Sequence, residues 1–204
     1  MESEGGSRNS HALGSIIRIA AIISIDIESI RHYSRNIGIR DNNLMEPVNK
    51  PYYKYSALIG WIALTFSAAL TGAFVDTGGW YASITKPAWN PPNSIFGPVW
   101  TTLYIMMAVA AWLVWQRGGW KQQRKALTIY LVQWALNALW TPLFFGLQRP
   151  DLAFAGILLL LASILATIAA FWRVKRTAAI LLIPYVLWVS FATVLNFTIW
   201  RLNA

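Results

Sequence analysis

Tryptophan and tyrosine rings, set at helical spacing inside stretches without charge, are the side chains best placed to do chemistry in this chain. Trp100 and Tyr104 are four apart, and Met107 and Ala111 continue their line. Gln133, Asn137 and Thr141 form a polar stripe beside Trp134 and Trp140. Trp188 and Ala192 share a face that continues to Asn196, while Trp61, Thr65, Ala68 and Gly72 line up as a mostly small face. Residues three and four apart point the same way on a helix. If the four faces converge, they enclose a pocket with flat aromatic walls and a few neutral hydrogen-bonding groups. Its chemistry would be recognition of a large, flat, mostly apolar molecule by stacking and by indole or amide hydrogen bonds.

Other chemistries lack their residues. The histidines are His11 and His32, both in the N-terminal segment, so no haem or zinc within the apolar runs can use imidazole. Met106 and Met107 are the only thioethers in those runs, thin support for axial ligation. There is no cysteine, hence no disulfide, thiolate nucleophile or cysteine metal site. No carboxylate pair exists for general acid–base work. No Asp, Glu, Lys or Arg lies inside the runs to relay protons or couple ions to transport. No metal site and no required cofactor are expected.

The elements that must position these rings are five apolar runs, at 55–75, 95–115, 126–147, 152–172 and 178–199, in a chain of 204 residues that is 56% hydrophobic. A bilayer core takes about 20 apolar residues of helix. The fold class is therefore all-α membrane protein, a five-transmembrane-helix bundle in one domain, residues 45–204. The net charge of +9 has an address. Lys50, Lys54, Arg117, Lys121, Arg124, Lys125, Arg173, Lys175 and Arg176 fall on one side of the membrane, and Lys86, Arg149 and Arg201 on the other. That bias puts the N-terminal side in the cytoplasm and the C-terminus outside, and it removes nucleic acid as the partner of the positive charge. Residues 1–44 do not match the rest. The stretch 16–25 is short, interrupted by Arg18 and followed by Asp26 and Glu28. It is read as a disordered tail, or as a spurious extension ahead of a true start at Met45, and not as a secretory signal.

The first joint, 76–94, is the long one. Its Lys86-Pro87-Ala88-Trp89-Asn90-Pro91-Pro92 run should be extended and stiff, a good lid over a pocket. The second helix is expected to start near Ile95, with Asn93 or Ser94 as N-cap and Pro98 in its first turn. Pro142 and Pro184 should kink the third and fifth helices, freeing the carbonyls of Ala138 and Ile180 and leaving room for a cavity. Ala162, Ala166 and Ala170 make a small-residue stripe for internal packing or for a dimer seam. Trp80, Trp89, Trp112, Trp115, Trp120, Trp172 and Trp200 lie near run ends, where interfacial belts collect aromatics. For the deeper Trp100, Trp134, Trp140 and Trp188, core packing and ligand contact both stand, and Asn137 reads as interhelical glue or as a ligand group.

Three longer motifs carry a resemblance. They are Trp80-Tyr81 with Lys86-Pro87-Ala88-Trp89-Asn90-Pro91-Pro92 and Phe96-Gly97-Pro98-Val99-Trp100-Thr101; Ala135-Leu136-Asn137 with Trp140-Thr141-Pro142-Leu143-Phe144-Phe145-Gly146; and Pro184-Tyr185 through to Leu195-Asn196. Together, over about residues 53–204, the chain resembles the TspO/MBR family of tryptophan-rich sensory and translocator proteins, once called the peripheral benzodiazepine receptor family. The resemblance implies a dimeric five-helix bundle in which the first loop closes over a site for porphyrins and synthetic isoquinoline or benzodiazepine-type ligands. By motif position the ligand contacts would be Tyr81, Pro91, Trp100, Tyr104, Asn137, Trp188 and Ala192. Protoporphyrin IX or another tetrapyrrole is the expected ligand, with Lys86 a candidate partner for a propionate. Some members are reported to degrade protoporphyrin in light, which would make Trp100 and Trp188 catalytic here. Phe197 replaces the tyrosine of the family's cholesterol-recognition stretch, so sterol binding is expected to be weak or absent. The expected setting is a bacterial inner membrane, with a mitochondrial outer membrane as the alternative.

Overall fold

The computed structural model describes residues 51–75 and 79–204, one compact unit within Pro51–Ala204. The reading of residues 1–44 and of Met45 falls outside the described residues. Among the described residues every regular element is helical. They are α1 (Pro51–Ser67, continued as a 3₁₀ segment Ala68–Phe74), α2 (Gly79–Ser83), α3 (Asn93–Trp115), α4 (Gly119–Thr141), α5 (Pro150–Val174), α6 (Arg176–Ile180) and α7 (Ile183–Leu202).

The five long helices are the expected spans. Segments within α1, α3, α5 and α6–α7 are long and apolar enough to cross a bilayer. The fifth, α4, is 23 residues long. It opens on Lys121, Arg124 and Lys125, and its apolar stretch begins only at Ala126. The chain is thus an integral, multi-pass membrane protein.

α4 and α5 run antiparallel, with Tyr130 stacked on Phe171 (centroids 6.0 Å, planes at 17°) and the Gly156 backbone against Leu143 further along. α7 lies beside α5, where Phe154 meets Phe197 and Trp200. α1 lies between α3 and α4. There Trp61 packs edge-on against Tyr130, and the Thr65 hydroxyl donates to the Trp61 carbonyl (2.7 Å). Since that uses the only proton of Thr65, Tyr130 is the donor in the buried 2.7 Å contact between the two hydroxyls.

The prolines act differently from the two expected kinks. After Pro142 the chain widens into a π turn, Pro142–Gly146, closed by the Leu147 amide on the Pro142 carbonyl (2.8 Å). This i→i+5 bond needs no N–H from the proline. The fifth span is broken, not bent. The Leu182 amide reaches back only to Ala179 (3.0 Å), and Pro184 then occupies the first turn of α7, where its missing N–H costs nothing. The first joint is not extended throughout, because Gly79–Ser83 forms the short helix α2. α3 also starts earlier than expected. Its first turn closes from the Ile95 amide to the Pro92 carbonyl (3.0 Å), so Pro92 precedes the helix and neither Asn93 nor Ser94 caps it. Pro98 then lies beyond the first turn. On α5, Ala162 and Ala166 face outward, whereas Ala170 is partly buried and packs against the core, so the small-residue stripe is divided between the surface and the interior.

Candidate functional site

Parts of the expected faces converge near the lid end of the bundle, while Trp61, Thr65, Ala68, Met107, Ala111 and Gln133 lie off the cavity wall. A cavity of about 470 Å³ lies between the ends of α1 and α4, the start of α3, and the inner faces of α5 and α7. Trp100 and Tyr104 line it from α3, Asn137, Trp140 and Thr141 from α4, Trp188, Ala192 and Asn196 from α7, and Gly72 from the 3₁₀ segment. Of the seven residues placed by motif, Tyr81, Trp100, Tyr104, Asn137, Trp188 and Ala192 are on its wall, and Pro91 is not. Trp134 is not on the wall either. It packs against the core, and its Nε1 is buried without a partner.

Helical spacing explains who arrives. Trp100 and Tyr104 stay on one face of α3, their rings 5.4 Å apart, and Trp100 meets Tyr185 of α7 edge-on at 6.2 Å. The π turn after Pro142 rotates Phe144 and Phe145 inward. Phe144 stacks on Trp140 (4.9 Å, 19°), and both phenylalanines join the wall. Sequence reasoning missed this pair because a kinked α-helix places those positions elsewhere. The signal available was the Pro142-Leu143-Phe144-Phe145-Gly146 run itself.

Behind the wall is a neutral hydrogen-bond network. The Tyr104 hydroxyl donates to Asn137 Oδ1 (3.1 Å), and Asn137 Nδ2 donates to the Tyr185 hydroxyl (3.0 Å). Gln133 Nε2 donates to that same Tyr185 oxygen (3.2 Å). Tyr185, wholly buried, thus ties α7 to two successive turns of α4, and Asn137 ties α4 to α3. Asn137 is therefore interhelical glue and cavity lining at once. Tyr185 was not singled out from sequence, since nothing in its spacing separates a hub from a core aromatic. Toward the lid, Trp140 Nε1 donates to Asn196 Oδ1 (3.3 Å), and Asn196 Nδ2 donates to the Pro150 carbonyl (2.8 Å), joining α4, α5 and α7. No ionisable acid or base lines the cavity other than the two tyrosine phenols, Tyr81 and Tyr104, and no group of three or more His, Cys, Asp or Glu that could hold a metal occurs among the described residues.

The lid is built from α2 and the stretch that follows it. Tyr81 donates to Asn90 Oδ1 (2.8 Å), and the Asn90 amide closes a turn on the Pro87 carbonyl (2.9 Å). Burial pushes the Tyr81 phenol above its ordinary value, against the smaller opposite effect of the Asn90 bond. Lys86 does not point at the cavity. Its ammonium binds the Tyr81, Ala82 and Ile84 carbonyls at the end of α2 and lies 4.8 Å from the Tyr81 ring centroid. A cation that satisfies helix-end carbonyls is not free for a propionate, which corrects that expectation. Asn203, at the far end of the chain, clasps the lid: its Oδ1 accepts from the Thr85 amide and its Nδ2 donates to the Thr85 carbonyl, both at 2.9 Å.

Comparisons with known proteins agree with this architecture. Protein CrtK of Rhodobacter capsulatus is 42% identical over 67% of this chain and 86% of its own length. The tryptophan-rich sensory protein of Cereibacter sphaeroides is 39% identical over 73% of this chain and 92% of its own. The human translocator protein is 42% identical over 61% of this chain and 75% of its own. A model of the TspO/MBR family matches residues 58–201, and the chain belongs to that family.

Proposed function

We propose that this protein is a membrane sensor or regulator that binds a tetrapyrrole, protoporphyrin IX or a close relative, in the aromatic cavity beneath its lid. One observation carries the reading. Trp100, Tyr104, Trp140 and Trp188 converge on a space of about 470 Å³ with no carboxylate, ammonium, guanidinium or imidazole in its wall. Such a volume falls within the roughly 300–1,000 Å³ usual for ligand sites. Flat walls favour a planar guest, because offset or edge-on ring contacts add about 0.5–1.5 kcal/mol each beyond area burial. Asn137 and Asn196 offer neutral polar contacts. With Lys86 engaged at the end of α2, the propionates would stay at the mouth, in water. The names of relatives, one a sensory protein and one a translocator, are consistent with a regulatory or transport role. We place the protein in a bacterial inner membrane, with the basic joints cytoplasmic.

The test is a titration of purified protein with protoporphyrin IX, following tryptophan quenching. Saturable quenching is expected, and Trp100→Phe with Trp188→Phe together should weaken affinity. Unchanged affinity in the double variant would show that the guest lies elsewhere. A second reading, light-dependent breakdown of porphyrin, rests on Trp100 and Trp188 sharing that wall. It requires a new bilin-like absorption band under illumination, absent when both tryptophans are replaced. Bleaching no faster than that of porphyrin in empty detergent would remove it.

A further inference from the structure

A second concavity lies outside the aromatic cavity. α3 and α7 touch at few places, and between them runs an open groove of about 590 Å³. Val99, Leu103 and Met106 form one wall, and Leu187, Trp188 and Phe191 the other. Pro98 and Pro184 sit on opposite walls. The single hydroxyl in the groove, that of Thr102, is turned back onto the Pro98 carbonyl of its own helix (3.0 Å). The surface around the groove is lipid-facing: Leu187 is 65% exposed, and Ile105 and Ile183 are also exposed and apolar.

We propose that this groove is a binding site for one acyl chain of a bilayer phospholipid. The occupant follows from the medium. The groove is continuous with the apolar outer surface of two membrane spans, and hydrocarbon chains are the only abundant matter there. An extended peptide or a headgroup would leave polar atoms without partners, and the groove is walled by side chains of both helices that leave a channel for a chain more slender than a helix. An empty groove would forfeit dispersion contacts along both walls. A chain held there differs from one sliding over a convex face, because it touches two helices at once. Trp188 gives the site a consequence, since its indole belongs to the wall of the groove and to the wall of the cavity. The ring also packs between Phe96 of α3 (5.9 Å) and Phe191 (5.5 Å), and Phe191 meets Trp89 of the lid (5.9 Å). A continuous row of rings therefore runs from lid to groove, and chain and guest occupancy are linked through it. This linkage rests on the proposed function, whereas the acyl-chain site does not.

The experiment uses the full chain in lipid nanodiscs doped with a phosphatidylcholine bearing a diazirine within its acyl chain, with adducts mapped by mass spectrometry after irradiation. Labelling of Met106 and Leu187 should exceed that of Leu158, Leu159 and Leu165, outward-facing residues of α5, by several-fold. Thr102→Phe, which fills the groove from one wall, should abolish the excess. Thr101→Phe, exposed on the same turn but outside the groove, should keep it. Equal labelling of groove and α5 in the unaltered protein, or an excess that survives Thr102→Phe, overturns the site. Should Thr102→Phe fail to fold, the comparison with α5 decides alone. Protoporphyrin IX should then change groove labelling at least twofold. Quenching of tryptophan with no change in labelling refutes the linkage but leaves the acyl site intact, and absence of quenching refutes the proposed function only.

Discussion

Replacing Tyr185 by phenylalanine removes one oxygen and leaves two buried donors, Asn137 Nδ2 and Gln133 Nε2, without their acceptor. In water-soluble proteins a stranded buried polar group costs about 1–3 kcal/mol. Between membrane helices the measured worth of such a bond averages about 0.6 kcal/mol and reaches about 1.7, because the helices find other partners when separated. The site here is at the high end. Tyr185 is wholly buried, Gln133 is too, and the Oε1 of Gln133 already has no partner. Tyr185→Phe should therefore destabilise the bundle by about 2 kcal/mol, one donor at a time. Gln133→Leu tests the cause. It removes the donor that Tyr185 satisfies together with an acceptor that is unsatisfied from the start, so alone the loss of the bond and the loss of the unpaired oxygen should nearly offset. In the double variant the cost of Tyr185→Phe should fall by about 1 kcal/mol, since only Asn137 is then left stranded. The assay is reversible unfolding in micelles or bicelles across the four-variant cycle. Additivity within about 0.5 kcal/mol would mean that the two side chains do not share a bond, and the network as described would be wrong.

The other expectations follow from single contacts. Thr65→Val removes the acceptor of the Tyr130 hydroxyl and should cost about 1 kcal/mol in the same unfolding assay, with secondary structure unchanged. Trp140→Phe keeps the stack on Phe144 and loses only the bond to Asn196, so it should cost about 1 kcal/mol or less, whereas Trp140→Ala should cost about 3–5. Asn203→Ala unties the lid. With two neutral bonds of about 0.5–1.5 kcal/mol each removed, hydrogen exchange at the Thr85 amide should speed by roughly tenfold, while exchange in α4 stays as it was. Because burial raises the Tyr81 phenol above its ordinary value, its bond to Asn90 should persist at least up to that value and be lost as pH rises beyond it; lid protection, taken relative to the base-catalysed exchange of unstructured amides at each pH, that fell between pH 7 and 9 would contradict this.

Charge-free length and helical spacing made the spans readable in advance, and spacing also brought Trp100, Tyr104, Asn137, Trp188 and Ala192 to one wall. What spacing could not supply was the consequence of each proline. Pro142 and Pro184 look alike in sequence, each inside an apolar run, yet one opens a π turn that swings Phe144 and Phe145 into the cavity and the other begins a new helix. The difference lies in which carbonyls the neighbouring turns can still satisfy, and that depends on packing. Lys86 was misjudged for a related reason. Its position in the lid suggested a partner for anions, but carbonyls at the end of α2 reach it first, and α2 itself was hidden among glycines and prolines. Tyr185 and Asn203 went unnoticed because their partners are far away in the chain, at Asn137 and Thr85.

The absence of charge that identifies the spans also determines how the cavity can discriminate. An ionic clamp would bind any anion of suitable size, and in a bilayer it would carry a desolvation cost of several kcal/mol per ion. Here the selecting groups are neutral and already paired. Asn137 holds Tyr104 and Tyr185, and Asn196 holds Trp140 and the Pro150 carbonyl. A guest that hydrogen-bonds to either amide must compete with a bond that fastens two helices together. A guest that only stacks against Trp100, Trp140 and Trp188 meets no such competition. The arrangement therefore favours broad, flat and weakly polar molecules over compact polar ones of equal volume, and it couples any guest that does engage Asn137 to the packing of α3, α4 and α7. If a guest binds as proposed, that coupling supplies a physical means of passing occupancy to the rest of the bundle, since Asn137 both lines the cavity and holds the helices in register.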